Sequence, residues 1–147
     1  MFKNILVPTD GSALSRKAVR KAAVFAKKMG ARITGFHVAP AYRFNVYADY
    51  IPPNFELPPD FSARVKKVAQ RHLDVVKKAA AEAGIACSCY YATSDFPADA
   101  IVNAAKKYKC DAIFMASHGR TGLTRLLLGS EATKVLAHAK VPVMIYR

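Results

Sequence analysis

The segment from Ala116 to Ser130 carries the residues whose types and spacing best suit binding chemistry. It contains Gly119, Arg120 and a Gly129-Ser130 pair just before a helix-like run. Glycines let backbone amides approach an anion without a side chain in the way, and the first amides of a helix lack intrahelical acceptors. An arginine adds a positively charged, planar guanidinium that can donate two hydrogen bonds to a phosphate. These features predict a phosphate-binding segment, although the glycines could equally just turn the chain and Ser130 just cap the helix.

The two common nucleotide-binding motifs are absent. Nine residues separate Gly119 from Gly129, whereas a Walker loop needs GxxxxGK[ST] and a dinucleotide fingerprint follows the first strand. Asp10 lies just after the first apolar run. A carboxylate there can accept hydrogen bonds from ribose hydroxyls, as in other doubly wound folds, or form a turn before Gly11. Both interpretations stay open at this stage.

No catalytic constellation is recognisable. His118 lies in the glycine-bearing segment, but no Ser or Cys nucleophile with an orienting acid accompanies it in a known pattern. We interpret His118 as a loop histidine, and His37 and His72 as packed or surface residues. We predict no catalytic residue and no metal-ligating cluster.

The three cysteines have spacings that fit neither a zinc site nor a redox dithiol. An odd number of cysteines favours a reducing compartment, and we interpret Cys87, Cys89 and Cys110 as buried small hydrophobes. Strand alternation puts Cys87 and Cys89 on one face, where they could meet a metal together. No His or carboxylate lies close to them in sequence.

The elements that must position these residues alternate regularly. Short apolar runs predict strands, and runs with apolar residues at three- and four-residue steps predict helices. The strands are predicted at residues 3–8, 32–38, 85–93, 111–117 and 141–146, and the helices at 12–30, 61–83, 97–108 and 131–139. Apolar strands between amphipathic helices indicate a single α/β domain over residues 1–147 with a doubly wound, Rossmann-like fold. We predict a five-stranded parallel sheet of order 3-2-1-4-5 with helices on both faces, so that the loops after strands 1 and 4 share one crevice.

One connection is too long for a simple link between elements. Residues 39–60 contain five prolines and several aromatics. We expect a functional loop or a mobile lid.

The formal charge of +13 is the outlier in an otherwise ordinary composition. It favours polyanions or phosphate-bearing ligands in general. Aromatic residues near Arg43 could stack on nucleic-acid bases. The lysines, however, are spread over several helix faces, so we do not favour a nucleic-acid partner. No signal-peptide pattern and no bilayer-length apolar run are present, which leads us to expect a cytoplasmic protein without a membrane partner.

Four segments of the chain carry a family resemblance: NILVPTDGS, DAIFMASHGRTGL, LLLGSEATKVL and VPVMIYR. With them the sequence resembles universal stress proteins along its whole length. The nucleotide-binding branch of that family has a glycine, two residues, a second glycine, nine residues, then a glycine with Ser or Thr. The corresponding positions are Ala116, Gly119, Gly129 and Ser130. Ala116 departs from the pattern, and its methyl would sit where a ribose or phosphate is expected.

The resemblance implies a stress-response or regulatory module that binds an adenine nucleotide. ATP is the expected ligand, with AMP or ADP as alternatives, Mg²⁺ accompanying the phosphates and hydrolysis slow or absent. It also implies a homodimer through the terminal strand from Val141 to Tyr146. A dimeric interaction module without nucleotide binding remains the alternative. The residues implied at the nucleotide are Pro8, Thr9, Asp10, Val38, Met115, Ala116, His118, Gly119, Arg120, Gly129, Ser130, Glu131 and Ala132.

Overall fold

The alternation of strands and helices holds throughout the part of the chain that the structure describes. A computed structural model describes residues 1–43, 52–120 and 127–147. The elements are β1 (Asn4–Pro8), α1 (Ala13–Met29), β2 (Arg32–Ala39), α2 (Phe61–Ala83), β3 (Cys87–Thr93), α3 (Pro97–Lys107), β4 (Ala112–Ala116), α4 (Ser130–His138) and β5 (Val143–Tyr146).

The sheet has the predicted topology. Its strand order is β3-β2-β1-β4-β5, and every neighbouring pair is parallel. The chain moves from β1 outward to β2 and β3, then returns to the other side of β1 to form β4 and β5. The strand order therefore reverses between β1 and β4, which is where sheets of this kind bind ligands.

The core lies in two layers on opposite faces of the sheet. Ile5 and Val7 of β1 pack into the layer that includes Val19 of α1 and Val76 of α2. The residue between them, Leu6, packs into the opposite layer with side chains of α3 and α4. Because successive strand residues point to opposite faces, an all-apolar strand is buried on both sides. This explains the continuous hydrophobic run that begins the sequence.

Helices α1 and α2 end where the sequence predicts. Gly30 and Gly84 follow them in left-handed conformations, with φ of 66° and 71°. Glycine adopts this conformation without a Cβ clash, which is why it closes helices. At the other end of α1, Ser12 caps the helix by accepting a hydrogen bond from the amide of Ser15. Met29, the last residue of α1, is 38% exposed.

Two predicted strands begin two residues later than expected. The amide of Ile85 donates to the carbonyl of Ala80 and belongs to the end of α2, so β3 starts at Cys87. Strand β5 starts at Val143 because Pro142 has no amide hydrogen and contributes only its carbonyl, which accepts from Ile113.

The burial predicted for the cysteines is wrong for two of the three. Cys110 is buried, whereas Cys87 and Cys89 are half-buried. The reason is that β3 forms an edge of the sheet and has a neighbouring strand on one side only.

The long connection between β2 and α2 is described at both ends. Tyr42 lies against Phe55 and Phe61, with ring centroids 5.9 and 5.1 Å away. The predicted loop or lid over residues 39–60 falls partly on residues 44–51, which lie outside the described residues. Within the described residues, no helix is long and apolar enough to cross a membrane.

Candidate functional site

A cavity of about 350 Å³ opens at the carboxyl ends of β1 and β4. It lies where the strand order reverses, and the loops after both strands line it. All of the residues implied at the nucleotide line this cavity, namely Pro8, Thr9, Asp10, Val38, Met115, Ala116, His118, Gly119, Arg120, Gly129, Ser130, Glu131 and Ala132. The structure thus brings together residues that are more than a hundred positions apart in sequence.

Five further residues line the cavity and were not identified from the sequence: Ser15, Phe36, Pro97, Ile101 and Ser117. Phe36 and Ile101 are almost fully buried. In the sequence they look like ordinary core residues of a strand and a helix. No sequence signal separates a core residue from one that forms the wall of a cavity. Ser117 could have been found, since it directly follows β4 within the glycine-bearing segment.

Asp10 connects the end of β1 to the segment after β4. Its Oδ1 accepts from the amide of Ser12 at 2.9 Å, and its Oδ2 accepts from the amide of Arg120 at 2.9 Å. Burial of the carboxyl acts to raise its pKa, but hydrogen bonds from Ser12, Ser15 and Arg120 outweigh this and lower the pKa. Asp10 is therefore a fixed carboxylate at the mouth of the cavity.

Gly119 is required for this close approach. A Cβ at this position would lie 2.6 Å from Oδ2 of Asp10, which is shorter than any ordinary contact. A side chain would separate Asp10 from the amide of Arg120. The glycine therefore allows the backbone after β4 to reach the carboxylate.

The start of α4 forms another wall of the cavity. Gly129 is the N-cap, and its amide donates to the carbonyl of Ser117 at 2.7 Å. Gly129 has no side chain to cap this helix, so among the described residues the first-turn amides of Ser130, Glu131 and Ala132 have no capping side chain and, by helix geometry, no intrahelical acceptor. Such amides, together with the helix dipole, attract anions.

Glu131 carries a negative charge in this first turn, but its carboxylate is bonded elsewhere. Oε2 accepts from the amide of Ala98 at 2.9 Å, at the beginning of α3. Oε1 accepts from Nζ of Lys134 at 3.3 Å. Glu131 therefore links the starts of two helices, and Lys134 partly offsets its charge.

His118 contains an orphaned polar atom. Its Nδ1 lies 2.9 Å from Oγ of Ser117. Its Nε2 is buried and has no hydrogen-bond partner among the residues that the structure describes. Buried polar atoms are almost always paired, so an unpaired one beside a cavity is consistent with a ligand that completes it. The description of His118 as a plain loop histidine misses this feature.

Arg120 is linked to α2 through a histidine pair. One of its terminal guanidinium nitrogens lies 3.2 Å from Nε2 of His72. The ring of His72 lies 4.9 Å from that of His37, whose Nδ1 lies 2.8 Å from the carbonyl oxygen of Thr9 and donates to it. Burial, His37 and Arg120 lower the pKa of His72, so it is held in the neutral form that accepts from Arg120. His37 is packed as expected, whereas half-buried His72 lies at the edge of the site.

Ala116 ends β4 and is 8% exposed. Ala116 is one of the residues that line the cavity, at the position where the family pattern has a glycine. Carboxylates of Asp10 and Glu131 also line the cavity, but within the described ranges no group of three or more His, Cys, Asp or Glu side chains could hold a metal ion.

Comparisons of the sequence with known proteins all point to one family. The whole chain, residues 1–147, matches the sequence model of the universal stress protein family. It is 34% identical to universal stress protein MJ0531 of Methanocaldococcus jannaschii, covering all of this chain and 83% of that protein. It is 33% identical to universal stress protein YxiE of Bacillus subtilis, with both chains covered completely.

Solved structures give the same fold at lower identity. The structure of MJ0577 matches with a TM-score of 0.78 at 22% identity, covering 99% of this chain and 95% of that one. A universal stress protein of Archaeoglobus fulgidus in complex with dAMP matches with a TM-score of 0.65 at 20% identity, covering 99% and 98%. One from Arabidopsis thaliana with AMP bound matches with a TM-score of 0.66 at 18% identity, covering 97% and 90%.

Proposed function

The chain belongs to the universal stress protein family, and from this premise we propose that its cavity between β1 and β4 binds an adenine nucleotide. The observation that carries the proposal is the pairing of an apolar wall with an uncapped helix start in one cavity of suitable size. Ligand pockets commonly combine apolar walls with a few convergent polar groups. The structures of relatives with dAMP and AMP support the same ligand class.

The two ends of the cavity suit the two ends of a nucleotide. Val38, Ile101 and Met115 supply apolar surface for the adenine ring. The first-turn amides of α4 supply donors for phosphate oxygens. Asp10 also lines the cavity, and its carboxylate can accept from ribose hydroxyls as well as from the amide of Arg120. We therefore propose that the base lies on the β2 and α3 side of the cavity and the phosphates at α4.

We propose ATP as the nucleotide, with hydrolysis slow or absent. The lowered pKa of Asp10 makes that carboxylate a weak base, and it already accepts two amide hydrogen bonds. Mg²⁺ would enter with the phosphates, because it usually keeps water and phosphate ligands and needs few protein groups. Asp10 and Glu131 are the carboxylates among the described residues of the cavity lining, and they could support Mg²⁺ through water.

Isothermal titration calorimetry of the purified protein with ATP, ADP, AMP and GTP tests the proposal. We expect saturable heat with the adenine nucleotides and a weaker response to GTP, whose base carries different edge groups. Absence of heat with all adenine nucleotides at high micromolar protein would contradict it. That outcome would favour the dimeric interaction module, with Ala116 as its structural cause.

We also propose that β5 pairs with a second copy of the chain. Strand β5 pairs with β4, and no other strand of the described chain lies beside it. The carbonyl of Tyr146 accepts from the amide of Ser117, which directly follows β4, so by strand alternation the amide of Ile145 faces the free edge. An open edge of this kind invites pairing with another chain.

Sedimentation velocity of the wild type and Ile145→Pro tests this pairing. Proline removes the edge-facing amide but leaves the β4 hydrogen bonds in place. We expect a dimer for the wild type and a folded monomer for the variant. A dimer in both proteins would place the interface elsewhere.

The cellular location and the absence of a nucleic-acid partner stay predictions from the sequence. We propose a cytoplasmic regulatory protein without a nucleic-acid partner. DNA and RNA binding that weakened steeply with salt would contradict the second part, since that response is the signature of phosphate neutralisation by basic surfaces.

A further inference from the structure

Cys87 and Cys89 lie outside the proposed nucleotide cavity and form a close pair on β3. Their sulfur atoms are 3.7 Å apart. In an extended strand, residues two positions apart point to the same face, so both thiols face α2. Cys89 approaches the carbonyl of Leu73, with 3.9 Å between sulfur and oxygen. The sulfurs are therefore held side by side against a helix.

The neighbouring strand makes room for this pair. Gly35 of β2 is the register partner of Cys89. A Cβ at Gly35 would lie 2.8 Å from the sulfur of Cys89 and 3.0 Å from a methyl of Val76. Gly35 does not have the left-handed backbone that calls for glycine, so its role here is to leave space for the sulfur.

We propose that Cys87 and Cys89 form a two-thiolate site for a soft, thiophilic metal ion of the Cu⁺ class. Thiolates select such ions over harder ones. A metal about 2.3 Å from both sulfurs would subtend an S–metal–S angle of about 107° at the observed 3.7 Å spacing. This angle leaves further positions for a small ligand from solution. The pair therefore needs little rearrangement to chelate.

The number of ligands favours a soft ion over Zn²⁺. Among the described residues, no third His, Cys, Asp or Glu joins the pair to form a ligand cluster. Structural Zn²⁺ sites use four protein ligands, so two thiolates would hold Zn²⁺ weakly. A soft monovalent ion accepts three ligands, so the two sulfurs and one small ligand from solution complete its coordination.

Binding exchanges S–H bonds for metal–sulfur bonds. Cu⁺ forms one bond to each sulfur, any S–H bond still present on the pair is broken, and its proton passes to water. No electron is transferred, because the copper stays Cu⁺.

Strand geometry disfavours the alternative of a disulfide. Two residues of extended strand span about 6.4 to 6.8 Å between Cα atoms. Disulfides prefer about 5.5 to 6 Å and reach only about 6.8 Å. Forming the bond would therefore bend β3 away from β2, whereas chelation leaves the strand straight. Access is open because β3 is an edge strand and both cysteines are half-buried.

Anaerobic titration of the reduced protein with Cu⁺, in competition with a chromophoric Cu⁺ chelator, tests the proposal. We expect one Cu⁺ per chain, and at least a hundredfold loss of affinity in Cys87→Ala and in Cys89→Ala. Cys110→Ala is the matched control and should retain Cu⁺ like the wild type, because Cys110 is buried apart from the pair. Zn²⁺ should bind at least a hundredfold more weakly.

Gly35→Ala is a second variant that keeps both thiols. Its methyl displaces the sulfur of Cys89, so Cu⁺ affinity should fall although the thiol count is unchanged. Circular dichroism and thermal melting confirm that each variant is folded. The proposal is overturned if Cu⁺ stays with the chelator, if the Cys87→Ala/Cys89→Ala double variant retains Cu⁺, or if Zn²⁺ binds as tightly. A Cys87–Cys89 disulfide in mass spectra of the aerobically purified protein would also overturn it.

Discussion

Gly129 is where the assignment of the phosphate end can be tested most directly. The backbone there has φ of −71°, which any residue adopts, so a substitution introduces no backbone strain. A Cβ would lie 3.0 Å from the carbonyl oxygen of Ser117 and 3.3 Å from Cα of His118. Both contacts are backbone atoms that cannot rotate away. A branched side chain in Gly129→Val would therefore push the start of α4 away from the end of β4.

Two costs follow from this displacement. Overpacking typically costs about 1 to 3 kcal/mol of folding free energy, and the 2.7 Å bond from Gly129 to Ser117 is weakened. At the cavity, a phosphate loses alignment with at least one amide, and a hydrogen bond to a charged group contributes about 1.5 to 3 kcal/mol. The dissociation constant for ATP should therefore rise roughly 10- to 100-fold.

The assay is calorimetric titration of ATP into wild type and Gly129→Val, with melting temperatures measured on the same samples. Gly30→Ala is the matched control, because Gly30 has φ of 66° and nothing within 4 Å of its added Cβ. It should lower stability by about 1 kcal/mol and leave ATP affinity unchanged. Affinity within twofold of wild type in Gly129→Val would refute the placement of the phosphates at α4. Equal loss in the control would mean that the assay reports stability alone.

Three further predictions follow from single residues. Ala116→Gly should bind ATP up to about tenfold more tightly in the same titration, because removing the methyl opens the wall of the cavity; unchanged or weaker binding would show that the methyl does not hinder the ligand. Asp10→Asn should lower the free energy of unfolding in urea more at pH 7 than at pH 3. The folded-state pKa of Asp10 is lowered, so its contribution is complete above the ordinary carboxyl pKa and is lost as pH falls through the folded value; a pH-independent difference would contradict this. Gly11→Ala should destabilise the protein by about 2 to 3 kcal/mol in urea unfolding, since Gly11 has φ of 78° and a Cβ would meet the ring of His72 at 2.1 Å. Gly84→Ala, with φ of 71° and open space, should cost clearly less.

The periodicity of apolar residues was sufficient to predict the order of the elements. Short apolar strands such as β1 and amphipathic helices such as α1 follow from side-chain alternation and helical spacing, which are local properties of the chain. Glycine at positions 30 and 84 marked the helix ends for an equally local reason, since these backbones are left-handed. Exact strand starts were less accessible, because the apolar run alone does not show that the amide of Ile85 still bonds to Ala80 in the motif that closes α2 at Gly84.

The sequence by itself also determined which residues form the ends of β1 and β4, and parallel topology then required those ends to meet. It could not reveal how the groups pair once there. The bonds from Asp10 to the amide of Arg120, from Arg120 to His72 and from Glu131 to the start of α3 join residues 33 to 110 positions apart. Such contacts depend on the packing of whole elements. The same is true of the cysteine pair. Strand alternation explains why both thiols point to one face, but the space for them depends on Gly35 of the neighbouring strand β2 and on Leu73 of α2.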